Sequence, residues 1–392
     1  MAGEPGADAR AHSQRLADGI RAEIRATGGT IPFSRFMELA LYAPGLGYYS
    51  AGATKFGAAG DFVTAPELGP LFAACVADAV APVLRQLGPE AGFLEVGGGS
   101  GAFAEVALKK LMAADALPSR YSILEPSADL RARQREHLRE QLVPPLFDLV
   151  DWPDTPFEQP WDGVVFANEV VDALPTPRFT LRDGEVFEEH VGLGDGDAFV
   201  RVDRPADALL AAAVRHVERG LDAPFAEGYR SELLPQLPYW VQAVAGPLRN
   251  GALLFVDYGY PRREYYHPER DDGTLRAFRQ HQVGGDVHAW PGLQDITASV
   301  DFTALAEAGT GAGFDLAGYC SQASFLIGNG LEANLAEAEA RARDEAGRFA
   351  LRQEAKRLTL PGEMGERFQA IGFERGVSFA AAFLAGDLAW RL

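Results

Sequence analysis

The segment Glu95-Val96-Gly97-Gly98-Gly99-Ser100-Gly101 constrains this chain more than any other part of its sequence. It follows the apolar run Phe93-Leu94 and opens directly onto a helix-forming stretch that starts at Gly101. Glycines at such a junction let backbone N–H groups approach a ligand with no Cβ in the way and the positive end of a helix behind them. The run Gly97 to Ala102 fits the dinucleotide pattern G-x-G-x-x-G/A, so a dehydrogenase is one reading. Glu95 argues for another. A carboxylate just before the glycines repels a diphosphate but accepts hydrogen bonds from the ammonium of a methionine-like ligand. Glu125 closes the next apolar run, YSIL (121–124), placed to take the ribose hydroxyls of an adenosine under either reading.

The surrounding grammar is α/β. FLEV (93–96), YSIL (121–124), LFDLV (146–150) and GVVFAN (163–168) read as strands, with helices from Gly101 and Ser127 between them, which implies a parallel sheet with crossover helices. Leu16, Ile20 and Ile24 fall on one helical face, a second helix starts near Ser34, and Thr64-Ala-Pro-Glu67 reads as a capping box for a helix toward Leu87. Residues 1–90 are therefore expected to form an N-terminal helical cap with a cofactor-covering loop, and 91–175 the first part of a Rossmann-like core. Asp183-Gly184 and Gly194-Asp195-Gly196 mark hairpins in 177–203, and helices are expected at 204–219 and 229–249, so 176–250 reads as an inserted acceptor-side subdomain. The core resumes over 251–392 with ALLFVDYG (252–259). A long acceptor-side loop covers 260–297, strands lie at 314–327 and 367–373, and a helix spans 331–358.

The 392 residues, 47% hydrophobic, suffice for a sizeable core. The formal charge of −19 repels phosphate backbones and anionic lipid head groups, so nucleic acid and membrane surfaces are not the expected partners; a basic protein or peptide is tolerated better. Two cysteines, Cys75 and Cys320, without a CxxC pair suggest a reducing compartment, and the acidic, apolar-poor start MAGEPGADARAH does not read as a secretory or transit signal. A cytoplasmic protein is expected.

Eight blocks spread in order over nearly the whole chain carry a resemblance: PFSRFMELALYAPGLGYYS (32–50), FGAAGDFVTAPELGPLF (56–72), LEVGGGSGAFA (94–104), ANEVVDALP (167–175), LLFVDYG (253–259), TLRAFRQH (274–281), PGLQDITASVDF (291–302) and SQASFLIGNG (321–330). Together they resemble the MidA-like methyltransferases, a family with a mitochondrial member that methylates arginine in complex I assembly. The loop departs from the family in having Gly98 where relatives often carry proline. The resemblance implies a seven-stranded class I methyltransferase sheet and S-adenosyl-L-methionine on Glu95, Gly97, Gly99, Gly101 and Glu125. In the mitochondrial member the methyl goes to a protein arginine nitrogen.

For catalysis the expected residues are Glu169 and Asp172, three apart and on one face of a helical turn, where carboxylates could bind a guanidinium bidentately. Asn168 is expected to line the cofactor, and Asp61, Phe62, Thr64, Tyr48 and Tyr49 to close over it. His281 and Asp295 are expected to line the acceptor pocket, and Asp301 to cap the helix from Phe302. His281, His288, Asp295 and Asp301 have no metal-ligand spacing, so no metal is expected. A small-molecule O- or N-methyltransferase and a cofactor-binding assembly factor with little catalysis remain the alternatives to a protein methyltransferase.

Overall fold

A computed structural model of the chain describes residues 4–50, 64–279, 282–284 and 286–392. It divides into two compact units, each assembled from three stretches of sequence: residues 1–62, 171–236 and 260–301 in one, 63–170, 237–259 and 302–392 in the other.

The second unit holds the glycine segment. Its sheet runs in the order Asp315–Ser321, Phe368–Arg375, Leu248–Tyr260, Trp161–Asn168, Gly92–Val96, Arg120–Leu124, Val150–Asp151. The last five are mutually parallel, whereas Phe368–Arg375 runs antiparallel to both of its neighbours. Seven strands lie on this path and a further two-residue strand pairs off it, so the sheet counts eight strands rather than the seven expected. Its central strands are buried on both faces: Val164, Val165, Phe166 and Ala167 are all inaccessible, as a parallel sheet covered by crossover helices requires. Phe103 from the helix Ala102–Ala113 stacks on Phe166 at 4.3 Å, and Phe93 on Tyr121 at 4.8 Å. From Gly92–Val96 the chain steps outward through Arg120–Leu124 to Val150–Asp151, then returns to place Trp161–Asn168 on the other side of Gly92–Val96. That reversal opens a crevice beyond the carboxyl ends of the two central strands, the usual ligand site of such sheets.

The first unit is built around an antiparallel sheet. Glu185–Leu193 pairs with Thr30–Pro32, Arg178–Arg182 and Phe199–Pro205, and Arg230–Glu232 extends it beyond Arg178–Arg182. The expected hairpin turn forms with both Asp183 and Gly184 at positive φ, 50° and 75°. Helices Ala7–Ala26 and Phe33–Tyr42 bury Leu16, Ile20, Ile24, Phe33 and Phe36 in one cluster.

The strands of this unit also carry charges that alternation alone does not anticipate. Buried Arg178 donates to Glu232 at 2.8 Å and Glu189 at 3.0 Å, and Arg230 donates to Glu189 at 2.8 Å and to both oxygens of Asp203 at 3.0 Å. Thr274 N–H donates to the other Glu232 oxygen at 2.7 Å. Removing one partner leaves uncompensated buried charge, which costs about 3–5 kcal/mol. Arg178→Met is therefore expected to lower unfolding free energy by about that amount in urea titration; a loss under about 1 kcal/mol would show that the carboxylates find other partners.

Several elements differ from expectation for local reasons. Thr64 sits in N-cap geometry, but its side chain makes no cap bond, and the helix Ala65–Leu68 stops at Gly69-Pro70 before Leu71–Leu87 begins. The stretch 146–150 is mostly a short helix, Pro144–Phe147, with strand only at Val150–Asp151, because Pro144-Pro145 starts a helical turn. In place of a helix over 229–249 there are strand Arg230–Glu232, helix Leu237–Ala245 and the start of the next strand at Leu248. The long loop 260–297 contains helix Arg262–Tyr265 and a three-stranded sheet, Arg276–Arg279, Gln282–Gly284 and Asp295–Thr297. Strand Asp315–Ser321 ends where the Ser321 hydroxyl accepts from Ser324 N–H and starts helix Gln322–Gly328. The long helix 331–358 breaks before Asp344, which caps Glu345–Thr359. No helix among the described residues is long and apolar enough to cross a membrane.

Candidate active site

The glycine segment lies at the carboxyl end of Gly92–Val96 and feeds the helix Ala102–Ala113. Gly97, Gly99 and Gly101 have φ of 72°, 52° and 91°, a region that residues with a Cβ enter only at a cost. The four glycines are constrained differently. A Cβ on Gly97 would come within 2.8 Å of Val170, and one on Gly98 within 2.5 Å of Ile123, so packing requires glycine there. A Cβ on Gly101 would sit 3.5 Å from His137, in ordinary contact. Nothing lies within 4 Å of a Cβ on Gly99, so its open face is a cradle that a side chain would fill.

Glu95 is buried and accepts the Tyr121 hydroxyl at 2.7 Å. Burial pushes its carboxyl up to about 7; the Tyr121 hydrogen bond opposes this and nearby Glu125 adds to it. Glu125 is also buried, beyond the end of Arg120–Leu124, and accepts Ser127 N–H at 2.9 Å and the Gln134 amide at 3.3 Å. The same Gln134 nitrogen donates to Gly99 C=O at 2.9 Å, while the Gln134 oxygen accepts Trp152 Nε1 at 2.9 Å. Gln134 thus ties the glycine loop to the end of the neighbouring strand Arg120–Leu124. Sequence reading missed it, although the signal was present: a polar residue among Leu130 and Leu138 on the buried face of helix Ala128–Gln141.

Asn168 ends the strand Trp161–Asn168, and Glu169 follows at φ 53°. Glu169 Oε1 accepts Asn168 Nδ2 at 3.1 Å and Ala65 N–H at 3.3 Å, which brings Thr64-Ala65 and the strand-end pair together. The expected helical turn over Glu169–Asp172 is not formed: the chain bends through left-handed Glu169 and then turns, with Leu174 N–H on Val171 C=O. The two carboxylates therefore do not share a helical face.

Asp172 and Asp295 are instead brought together in the first unit. Both are buried, the Tyr49 hydroxyl donates to Asp295 at 2.9 Å, and Ala298 N–H donates to Asp172 C=O at 3.0 Å. Tyr49 stacks on Tyr42 at 5.5 Å and meets Tyr48 edge-on at 5.2 Å. Burial, then the charges of Asp295 and Asp172, raise the Tyr49 phenol well above its ordinary range. The Tyr42 hydroxyl donates to Ala173 C=O at 2.9 Å. Asp301 accepts from Arg262 Nε at 3.2 Å, and His288 packs edge-on against Phe33 and Phe36. Asp61, Phe62 and His281 lie outside the described residues. Among the described residues no three His, Cys, Asp or Glu side chains are grouped to hold a metal ion.

Known proteins match this chain. The model of a family described as S-adenosyl-L-methionine-dependent methyltransferases matches residues 75–320. A crystal structure of a Burkholderia thailandensis protein bound to S-adenosyl-homocysteine is 43% identical over the whole of both chains, with a TM-score of 0.92. Among curated relatives, a Drosophila melanogaster mitochondrial protein named as an NDUFAF7-type protein arginine methyltransferase is 28% identical over 95% of this chain and 88% of its own. Its human counterpart is 26% identical over 88% and 80%.

Proposed function

This chain belongs to that family of S-adenosyl-L-methionine-dependent methyltransferases, and from this premise we propose that its methyl acceptor is an arginine guanidinium nitrogen of a protein. The fit to the cofactor rests on the donor set of the second unit: the open cradle at Gly99, the buried carboxylate of Glu95 and the strand-end Glu125. Gly97, Gly99, Gly101 and Asn168 would hold it through backbone and amide groups, Glu95 would take its ammonium and Glu125 its ribose. Thr64 stands beside them. When bound, the cofactor supplies an electrophilic methyl on a sulfonium.

The observation that carries the arginine reading is Glu169. A carboxylate immediately beyond the strand next to the glycine loop, fixed through Oε1 by Ala65 N–H and Asn168, can hold a guanidinium and draw its positive charge toward the bonded nitrogens. Positioning of this kind supplies much of the rate in a transfer between two bound groups. The curated relatives' names support the same acceptor. Two buried thiols with no disulfide between them support a working place in a reducing compartment such as the cytoplasm.

Labelled-methyl transfer into a lysate lacking this enzyme, followed by amino-acid analysis, tests the proposal. Methylarginine in a defined protein is expected. Label confined to small molecules would overturn it and favour a small-molecule methyltransferase; no label with intact cofactor binding would favour an assembly factor.

The raised Glu95 carboxyl predicts a pH dependence. Its folded pKa, about 7, lies above the unfolded value, so its protonated form favours folding below the unfolded pKa, and this contribution is lost as pH rises through about 7. A cationic ammonium reverses the preference by favouring the carboxylate. Affinity for S-adenosylhomocysteine is expected to fall as pH drops from 8 to 6, approaching tenfold per unit at the acid end, and the ligand should raise Tm more at pH 8 than at pH 6. Glu95→Gln should flatten both profiles; an equally steep profile in that variant would remove Glu95 from the ammonium site.

A further inference from the structure

Two carboxylates from distant parts of the sequence converge on residues 65–72, and a third, Glu67 within that segment, reaches out to the glycine loop. Glu169 accepts Ala65 N–H at 3.3 Å, Glu67 accepts the Ser100 hydroxyl, and Glu354 accepts Leu71 N–H at 2.6 Å. Gly69 is where Glu354 approaches the backbone: a Cβ there would lie 2.1 Å from a Glu354 oxygen. A four-residue helix such as Ala65–Leu68 has no stability of its own, because nucleating a turn fixes several dihedrals for one hydrogen bond. Its position is set by these attachments.

Two of them lead to different parts of the site. Ser100 lies inside the glycine loop, between Gly99 and Gly101, and its oxygen also accepts Ala102 N–H at 3.3 Å, so its hydroxyl is oriented by the start of the loop's own helix. At the other end of the same short helix, Ala65 N–H holds the carboxylate proposed for the guanidinium. Only Pro66 separates Ala65 from Glu67. The path from the loop to Glu169 therefore runs through three consecutive residues, Ala65-Pro66-Glu67.

We propose that Glu67 is a positioning residue that couples the glycine loop to Glu169, so that a cofactor seated on the loop tightens the hold of Ala65 N–H on the acceptor-side carboxylate. The chain of contacts is Gly99-Ser100-Gly101, Glu67, Ala65, Glu169. In this role Glu67 acts through Ser100 and its own backbone. The consequence is ordered use of the site: with the loop filled, Glu169 is fixed for the acceptor, and with the loop empty it is held less firmly. The inference rests on the reading of Glu169 as the acceptor carboxylate, but its test uses only S-adenosylhomocysteine, so the arginine reading can fail without deciding it.

Hydrogen exchange of the full chain, read on the peptide spanning residues 64–70, reports the amides of Ala65, Glu67, Leu68 and Gly69. In the wild-type protein, saturating S-adenosylhomocysteine is expected to slow exchange at Ala65 by about tenfold. Glu67→Ala should lose most of that slowing, to under about twofold, while binding S-adenosylhomocysteine within about threefold of wild type. Glu67→Gln keeps an oxygen to accept from Ser100 and should restore the slowing, whereas Glu67→Met, similar in bulk but without that acceptor, should not. Ser100→Ala removes the same bond from the other side and should behave as Glu67→Ala. Retention of the full slowing in Glu67→Ala or Ser100→Ala would overturn the coupling, as would failure of Glu67→Gln to differ from Glu67→Ala.

Discussion

Glu169→Gln is expected to lower kcat/KM for methyl transfer about 100-fold or more while leaving affinity for S-adenosylhomocysteine within about threefold, since losing one charge-assisted partner of a guanidinium costs about 2–5 kcal/mol. The glutamine oxygen can still accept Ala65 N–H and Asn168 Nδ2, so the local backbone should hold and the loss should be one of charge. Rates with the unmethylated form of the acceptor protein identified by labelling, combined with calorimetric titration of the cofactor product, separate the two quantities. Full activity in this variant would remove the carboxylate from the acceptor site. A loss of both activity and cofactor affinity would place Glu169 on the cofactor instead.

Gly99→Val should have the opposite signature. A Cβ at this position meets no protein atom within 4 Å, so the fold has no packing objection to a side chain there. The backbone does object: φ of 52° is unfavourable for a β-branched residue by about 1–2 kcal/mol, a modest loss of stability. The larger effect is on the ligand, whose close approach to the backbone the side chain occupies. An affinity loss above about 100-fold, or about 2.7 kcal/mol, is expected, with a cooperative unfolding transition retained. Gly99→Ala carries similar strain with less bulk and should fall between. Undiminished binding in Gly99→Val would mean that the cofactor does not lie on this face of the loop.

These two residues also mark how much of the site was legible before the structure. The glycine loop is local: strand, turn and helix are contiguous, so the positive-φ positions and the preceding carboxylate could be read from one short segment. Glu169 was legible as a type of group at a strand end, but its setting was not. The left-handed bend that replaces the expected helical turn sits where the Glu169 carboxylate meets Ala65, more than a hundred residues earlier. The separation of Glu169 from Asp172 into different compact units follows the chain's return path, which spacing does not encode. Gln134 left a readable trace as a polar residue on an apolar helix face. Glu67 showed only as a capping-box residue, not as the partner of Ser100, and Glu354 and the Arg178–Arg230 cluster left no trace, because charged residues in surface-like sequence contexts look alike until their partners are known. Among fold elements, the parallel strands with strong apolar runs were placed well. The short strands of 260–297 were not, since three- and four-residue strands fall below the length at which periodicity speaks.

The interleaving of the two units has a consequence for how the protein is made. A chain leaving the ribosome completes the glycine loop early, with residue 101, yet the sheet that carries it lacks Leu248–Tyr260 and Phe368–Arg375 until far later. Phe368–Arg375 is the antiparallel strand that joins Asp315–Ser321 to the rest, so a nascent or truncated chain ending before it has an unpaired edge on Leu248–Tyr260. Neither unit is a contiguous fragment, so the sheet that carries the glycine loop is complete only once Phe368–Arg375 has been made.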